Sequence, residues 1–175
     1  MALDFKASVM WESVPLLLGG VHLTIIITLG GLAIGFLLGA VTGLGKTARG
    51  KLPRALADIY VEAIRGTPLI VQVMFLYFGL PLATGMRIPP VTAGIIAIAV
   101  NSGAYIAEIV RGAIESIDVG QTEAGRSIGL TRMQTMLHVV WPQAFRRMIP
   151  PLGNQFIISL KDTSLLVVID RKSVV

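Results

Sequence analysis

The sequence predicts an all-α integral membrane protein, a multi-span helical bundle. Three observations predict it. Hydrophobic residues make up 54% of the 175-residue chain and charged residues only 14%, and mean hydropathy is +0.76. A soluble domain of this size would have to expose much of that apolar surface, whereas crossing a bilayer needs only runs of about 20 apolar residues. Second, Val14 to Gly45 contains no Lys, Arg, Asp or Glu. Third, the net charge of +5 sits in short loops between apolar runs, which reads as membrane topology and not as nucleic-acid binding. The absence of cysteine excludes disulfides, iron–sulfur clusters and thiol catalysis.

Met1 to Ser13 is mixed in character and carries Asp4, Lys6 and Glu12 in place of a basic leader. No cleavable signal peptide is expected, so the first span, about 15–45, stays in the mature chain. Within it Gly31, Gly35, Gly39 and Gly43 recur every four residues. That spacing puts four positions without side chains on one helical face, a packing face for another helix. His22 is expected near the outer end, in an interfacial hydrogen bond. Ala40 to Thr47 formally matches a phosphate-loop pattern. A phosphate loop needs a buried strand before it, and here a glycine-striped membrane helix precedes it, so nucleotide binding is rejected.

Lys46, Arg49, Lys51 and Arg54 make the next loop basic, hence cytoplasmic, and place the N-terminus outside. A second span, about 56–82, enters with Asp58, Glu62 and Arg65. Glu62 and Arg65, three apart, are placed to pair. Pro68 predicts a kink that leaves carbonyls near Ile64 free to bind something else. After a short outer loop with Arg87, a third span covers about 91–110. Asn101, Tyr105 and Glu108 share one helical stripe there. Polar groups are costly in lipid, so these should face the bundle interior, with Glu108 paired to Arg111.

The loop 111–147 carries Arg111, Arg126, Arg132, Arg146 and Arg147 and is again cytoplasmic. Asp118 to Pro142 within it is too polar to span. Asp118 is set to cap a first short helix, with Gln121 reaching back, and Gly129 to close it as a left-handed residue. Thr131 is set to cap a second, boxed by Gln134. Met133, Met136, Leu137, Val140 and Trp141 should share one face of it, and Pro142 should end or kink it. A fourth span, about 148–169, is loosened at its entry by Pro150, Pro151 and Gly153. The adjacent Lys161 and Asp162 are placed to neutralise one another or line a polar path.

Glu123-Ala124-Gly125, Gly129 and Val139-Val140-Trp141-Pro142 together resemble the EAA loop of ABC importer permeases. Gly125 departs from the pattern, which has a second alanine there. The resemblance implies a cytoplasmic coupling helix seated in a groove of an ATPase, with Glu123, Ala124, Gly125, Arg126 and Gly129 as the coupling residues. Three further blocks resemble the polar amino acid branch of that family. They are Arg65-Gly66-Thr67-Pro68-Leu69 with Val71-Gln72, Asn101 through Gly112, and Asn154-Gln155-Phe156 through Lys161-Asp162-Thr163-Ser164-Leu165-Leu166. The resemblance runs from Gly20 to Ile169.

It implies a single transmembrane permease domain over 1–169, with four spans of an expected five, in a bacterial inner membrane. The implied function is a permease subunit of an ATP-driven importer for polar amino acids. Arg65, Thr67, Asn101, Tyr105, Glu108, Lys161 and Asp162 are the candidates for the substrate path. No catalytic residue, metal site or cofactor is expected on this chain, and ATP and Mg belong to a partner. The implied partners are an ABC ATPase dimer, a second permease copy or paralogue, an extracytoplasmic amino-acid-binding protein and membrane lipid, with no nucleic acid. The alternatives are an ABC permease for another small solute, or an intramembrane enzyme using Glu108, Lys161, Asp162 or His138, which have no recognisable catalytic spacing. Asp170 to Val175 does not resemble the family. It matches a translated sequencing adapter, so the chain is expected to be a truncated permease with a non-native tail at 170–175.

Overall fold

A computed structural model describes residues 7–48 and 50–169 of the chain. The expectations for the N-terminal residues 1–6, for Arg49 and for the tail 170–175 lie outside the described residues. The described residues are almost entirely helical. α1 (Ala7–Thr47), α2 (Lys51–Arg65) and α3 (Leu69–Met74) are followed by a π-turn at Phe75–Gly79 and by α4 (Leu80–Thr84). α5 (Pro90–Glu115), α6 (Val119–Ser127) and α7 (Arg132–Thr135) come next, then a second π-turn at Met136–Val140. α8 (Trp141–Asp162) ends in a 3₁₀ turn at Thr163–Val168.

The bundle is built on α5, and its seam with α1 follows from the glycine stripe. Gly31, Gly35, Gly39 and Gly43 are all buried, while Leu37 and Val41 between them are exposed. Each glycine lies directly on α5. A Cβ on Gly31 would meet Ile98 at 2.6 Å, one on Gly39 would meet Ile106 at 2.6 Å, and one on Gly43 would meet Val110 at 2.6 Å. On Gly35 it would lie 2.2 Å from Ser102 Oγ and 2.9 Å from the Ala99 carbonyl. Contacts on both helices advance together in steps of four, so α1 and α5 run parallel and end on the same side. With no hydrophobic drive between helices in lipid, such backbone approach supplies the van der Waals contact that holds spans together.

Two other contacts complete the frame. α2 lies on α5 through Val61, Ala104 and Ala107, with Tyr60 and Ile64 beside them, and Tyr60 Oη donates to the Val100 carbonyl at 2.6 Å. At the opposite end, Leu166 and Ile169 join Ile27, Val73, Ala97 and Ile98 in one cluster.

By length and composition α1 and α5 are each able to cross a membrane, and α2 with α3–α4 together reach the same length and apolarity, bent by 98° at their break. The expected fourth span differs. α8 starts at Trp141, seven residues before the expected entry, and its charged residues Arg146 and Arg147 precede Met148 while Lys161 and Asp162 close the helix. Pro142 does not end a helix either. The preceding π-turn at Met136–Val140 leads straight into α8, and Pro142 lies just after it, where the widened turn accommodates the proline within a continuing helix. That wider turn also splits the expected apolar face: Val140 is buried, whereas Met133 and Leu137 are exposed.

Candidate functional site

The site begins at the break between α2 and α3. Pro68 has no N–H to give the Ile64 carbonyl, and the last carbonyls of any helix lack intrahelical donors. In a membrane protein such groups must find partners inside the chain. Here the backbone supplies a part, with Gly66 N on Glu62 O at 2.9 Å and a long contact from Thr67 N to Ile64 O at 3.4 Å, and side chains supply the rest. Thr67 Oγ1 donates to the Ala63 carbonyl at 2.8 Å. Gln72 Nε2 donates to Ile64 O at 2.8 Å and to Thr67 O at 2.9 Å. The expectation that carbonyls near Ile64 stay free is therefore corrected: Gln72 occupies them. Asn101 Nδ2 donates in turn to Gln72 Oε1 at 3.3 Å, tying the break to α5.

Beside the break lies a half-open cavity of about 480 Å³. Arg65 and Thr67 line it from α2 and the break, Asn101 and Tyr105 from α5, and Gln155 and Asp162 from α8. The Arg65 guanidinium lies over the Tyr105 ring, 5.2 Å from its centroid. Its charged neighbour is Glu108, at a loose 3.7 Å, and not Glu62 as expected. Among the described residues no salt bridge joins Asp162 to Lys161. The cavity thus holds a guanidinium and a carboxylate with an aromatic face between hydrogen-bonding amides. Five of the seven substrate-path candidates meet there: Arg65, Thr67, Asn101, Tyr105 and Asp162. Gln155 was not singled out from the sequence, although it falls on one helical face with Asp162, seven residues apart.

Glu108 and Lys161 do not line the cavity. Lys161 is exposed. Glu108 sits just beyond the cavity in an ion-paired cluster at the common end of α1, α2 and α5. Its Oε1 is 2.6 Å from Lys46 Nζ, and its Oε2 is 2.8 Å from Arg111 Nη2. Lys46 also reaches Asp58 Oδ1 at 2.9 Å, and Arg111 reaches Glu115 Oε2 at 2.5 Å. Lys46 belongs to the segment that mimics a phosphate loop. It closes a helix, with no strand before it, and its ammonium is spent on carboxylates. The residues of the enzyme alternative are scattered: Glu108 is in this cluster, Asp162 in the cavity, and His138 exposed on the second π-turn.

The polar loop forms a second candidate site. Asp118 caps α6 by accepting from Gly120 N at 2.6 Å. Gln121 does not reach back as expected; its Oε1 accepts from Gln143 Nε2 on α8 at 3.2 Å. Gly129 closes α6 at φ +89°, and Leu130 N donates to Gly125 O at 3.2 Å across the turn, the paired closure of a helix by a left-handed glycine. Thr131 and Gln134 make the reciprocal capping box of α7. Arg147 Nη1 donates to Ser116 O at 2.5 Å and to Ser116 Oγ at 2.9 Å, which straps α8 to the start of the loop.

Glu123 and Ala124 are exposed on α6, and Gly129 is exposed at its end. Gly125 is buried instead, because a Cβ there would lie 2.8 Å from Thr135 Cγ2. Arg126 Nη1 donates to Leu130 O at 2.6 Å, so part of its donor capacity is used inside the loop.

Residues 31–173 match the family model described as "Binding-protein-dependent transport system inner membrane component". The chain is 50% identical over 168 residues to the "Glutamine transport system permease protein GlnP" of Escherichia coli (strain K12), covering 95% of this chain and 77% of that protein. It is 40% identical over 169 residues to the "L-cystine transport system permease protein TcyB" of Bacillus subtilis (strain 168), covering 94% and 72%. Among solved structures, one titled "Crystal structure of an amino acid ABC transporter with histidines" superposes with a TM-score of 0.89 at 42% identity, over 97% of this chain and 78% of that one.

Proposed function

Since the chain belongs to the family of binding-protein-dependent transport system inner membrane components, we propose that it is the membrane-spanning permease subunit of an ATP-driven importer for polar amino acids. It is a component of a bacterial inner membrane and a transport subunit, not itself an enzyme; ATP hydrolysis belongs to a separate subunit, where ATP and Mg bind. An ATPase and a substrate-binding protein are its partners. We take the ATPase to be a dimer, the binding protein to sit outside the membrane, and a second permease copy or paralogue to complete the pathway. The reading has the N-terminus outside, the loop around α6 in the cytoplasm, and 148–169 as a fourth span lying partly against other helices.

The observation that carries the amino-acid reading is the cavity beside the Pro68 break. An α-amino acid at neutral pH is a zwitterion whose ammonium nitrogen and carboxylate carbon share one Cα and lie about 2.5 Å apart. Arg65, with five fixed donors, suits the carboxylate, and Asp162 suits the ammonium. Asn101, Gln155 and Thr67 offer hydrogen bonds to a polar side chain. Glu108 serves as a floor to this path through its ion pairs and not as a substrate ligand.

The complete importer, with ATPase and binding protein in nanodiscs, tests the reading. L-glutamine is expected to stimulate ATP hydrolysis in the native complex. Arg65→Met and Asp162→Asn should each abolish the stimulation while leaving basal hydrolysis. Stimulation by an amino acid that survives both substitutions overturns the assignment of the cavity.

For coupling, Glu123 and Ala124 are the exposed contacts, and Gly129 aims α6 at its socket. Gly129 has open space around it but a backbone conformation that other residues adopt at a cost. Gly129→Asp is expected to insert normally, lose transport and release the ATPase from the membrane, and Glu123→Ala to be milder. Membrane retention of the ATPase beside normal transport in Gly129→Asp removes the loop from the coupling role. Impermeant labelling of Gln121→Cys on intact cells lacking an outer barrier, with none of Arg87→Cys, reverses the proposed topology.

A further inference from the structure

We propose that Gln72 is a positioning residue: it holds the bend between α2 and α3 and, through that contact, turns the carbonyl oxygen of Asn101 toward the cavity. The second half of this rests on reading the cavity as the amino-acid site.

The argument starts from Pro68. Residue 68 is the position whose N–H would serve Ile64 O in a continuous helix, and proline has none. Side chains in a helix lean toward its N-terminus, so a residue one turn after Pro68 leans back over the gap. Gln72 is that residue, and its amide nitrogen reaches Ile64 O at 2.8 Å and Thr67 O at 2.9 Å. Both targets are backbone carbonyls, which only accept. The NH₂ end of Gln72 must therefore face the break, which fixes an amide orientation that is otherwise ambiguous. Its Oε1 then faces α5, where it can only accept. The NH₂ end of Asn101 supplies the donor at 3.3 Å.

That contact commits the nitrogen end of Asn101 to Gln72. The oxygen end is left as the polar group that Asn101, a lining residue, offers elsewhere. Asn101 is buried, so its rotation would break one hydrogen bond and face two like-polarity groups across Gln72. The chain of groups from the Ile64 carbonyl to Asn101 Oδ1 thus converts a backbone break into a fixed acceptor beside the cavity. An acceptor suits the ammonium of an amino acid; an amide N–H at the same place would suit a carboxylate and would compete with Arg65.

The test uses the assembled permease–ATPase complex in nanodiscs, without binding protein. Two measurements are made: equilibrium binding of tritiated L-glutamine, and the distance between spin labels at Leu56→Cys on α2 and Leu82→Cys on α4. Gln72→Met removes both amide ends. Gln72→Glu keeps the shape but presents oxygen to two carbonyls. Arg65→Met reports on the cavity alone. Both Gln72 variants are expected to shift or broaden the label distance and to weaken glutamine at least tenfold. Arg65→Met should abolish binding with the label distance unchanged. The des-amino analogue glutaramate, which lacks the ammonium, should bind native and Gln72→Met complexes equally.

Native distance and native glutamine affinity in Gln72→Met, with Arg65→Met inactive in binding, overturn the proposal and leave the cavity standing. Native binding in Arg65→Met removes the cavity reading and with it the role of Asn101, while the distance still decides the bend. If Gln72→Met does not assemble, the double variant Pro68→Ala/Gln72→Met regains an N–H for Ile64 and is expected to assemble with a straightened helix. Failure of that variant to assemble also overturns the proposal.

Discussion

The two sides of α5 are built on opposite rules. One side meets α1 through Gly31, Gly35, Gly39 and Gly43, with backbone carbonyls of α5 as close as 2.7 Å to where a glycine Cβ would stand. The other side carries Asn101, Tyr105 and Glu108, meets α2 and the break through hydrogen bonds and an ion pair as well as apolar packing, and packs on α8 through Ala113, Ile114, Ala144 and Met148, with a cavity between. The first side has no slack and, apart from Ser102 opposite Gly35, no polar side chain from α5. The second has several long side chains, each with more than one partner. The contrast assigns α1 and α5 to one rigid body and leaves the polar side as the place where helices can shift. Close-packed seams resist small displacements, whereas a guanidinium at 3.7 Å from its carboxylate moves at little cost.

Gly39→Leu tests the rigid side and should have the largest effect. Overpacking costs about 1–3 kcal/mol and occasionally more. Here even the first added carbon would lie 2.6 Å from Ile106 and 2.7 Å from the Gly103 carbonyl. A backbone atom cannot swing aside, so the helices must separate. The expected outcome is membrane insertion without an assembled permease–ATPase complex, read by co-purification. Normal assembly and transport would mean that the seam has the slack denied to it above.

Glu108→Gln tests the polar side and should cost less. Removing one partner of a buried ion pair costs about 3–5 kcal/mol, but this cluster keeps reserves: Asp58 still holds Lys46, and Glu115 still holds Arg111. The complex should assemble with a lowered Tm, a smaller loss than in Gly39→Leu. A Tm loss equal to that of the glycine variant would show that both sides of α5 are equally unforgiving.

The same contrast explains what was legible in the sequence. A stripe of glycines at every fourth position declares a packing face by itself, although it is silent on which helix will meet it; α5 of the same chain was visible only in the structure. Pro68 declared a break, but the fate of its carbonyls depended on a side chain four residues on, and Gln72 passed as one polar residue in an apolar run. The signal was there: a missing donor at 68 followed one turn later by an amide. Asn101 and Tyr105 were legible as inward-facing from the cost of polar groups in lipid, yet Glu108, on the same stripe, is claimed by Lys46 in the last turn of α1, 62 positions earlier, which no local rule connects to it. Pro142 misled because a π-turn, which has no simple sequence mark, absorbed the proline.

The smallest effect should come from the loop, where the rule of the rigid seam recurs in miniature. Gly125 is buried against Thr135, whose Cγ2 lies 2.8 Å from the place of an added Cβ, and whose Oγ1 lies at 3.2 Å. Alanine in a helix is worth about 0.8–1.0 kcal/mol over glycine, so Gly125→Ala should stabilise α6 if space alone did not forbid it. With Thr135 in place the methyl groups collide, and the gain should be cancelled or reversed by about 1 kcal/mol. Thr135→Ser deletes Cγ2 and keeps the hydroxyl that donates to Thr131 O at 3.0 Å, at a cost of about 0.8 kcal/mol for the lost methyl. Adding Gly125→Ala to Thr135→Ser then fills the vacated space and recovers the helix gain. Thermal unfolding of the four complexes forms a double-mutant cycle, and the pair should couple favourably by about 1 kcal/mol. Simple additivity would show that α6 and α7 yield to each other freely, and that the close contact of small residues holds the spans together but not the loop.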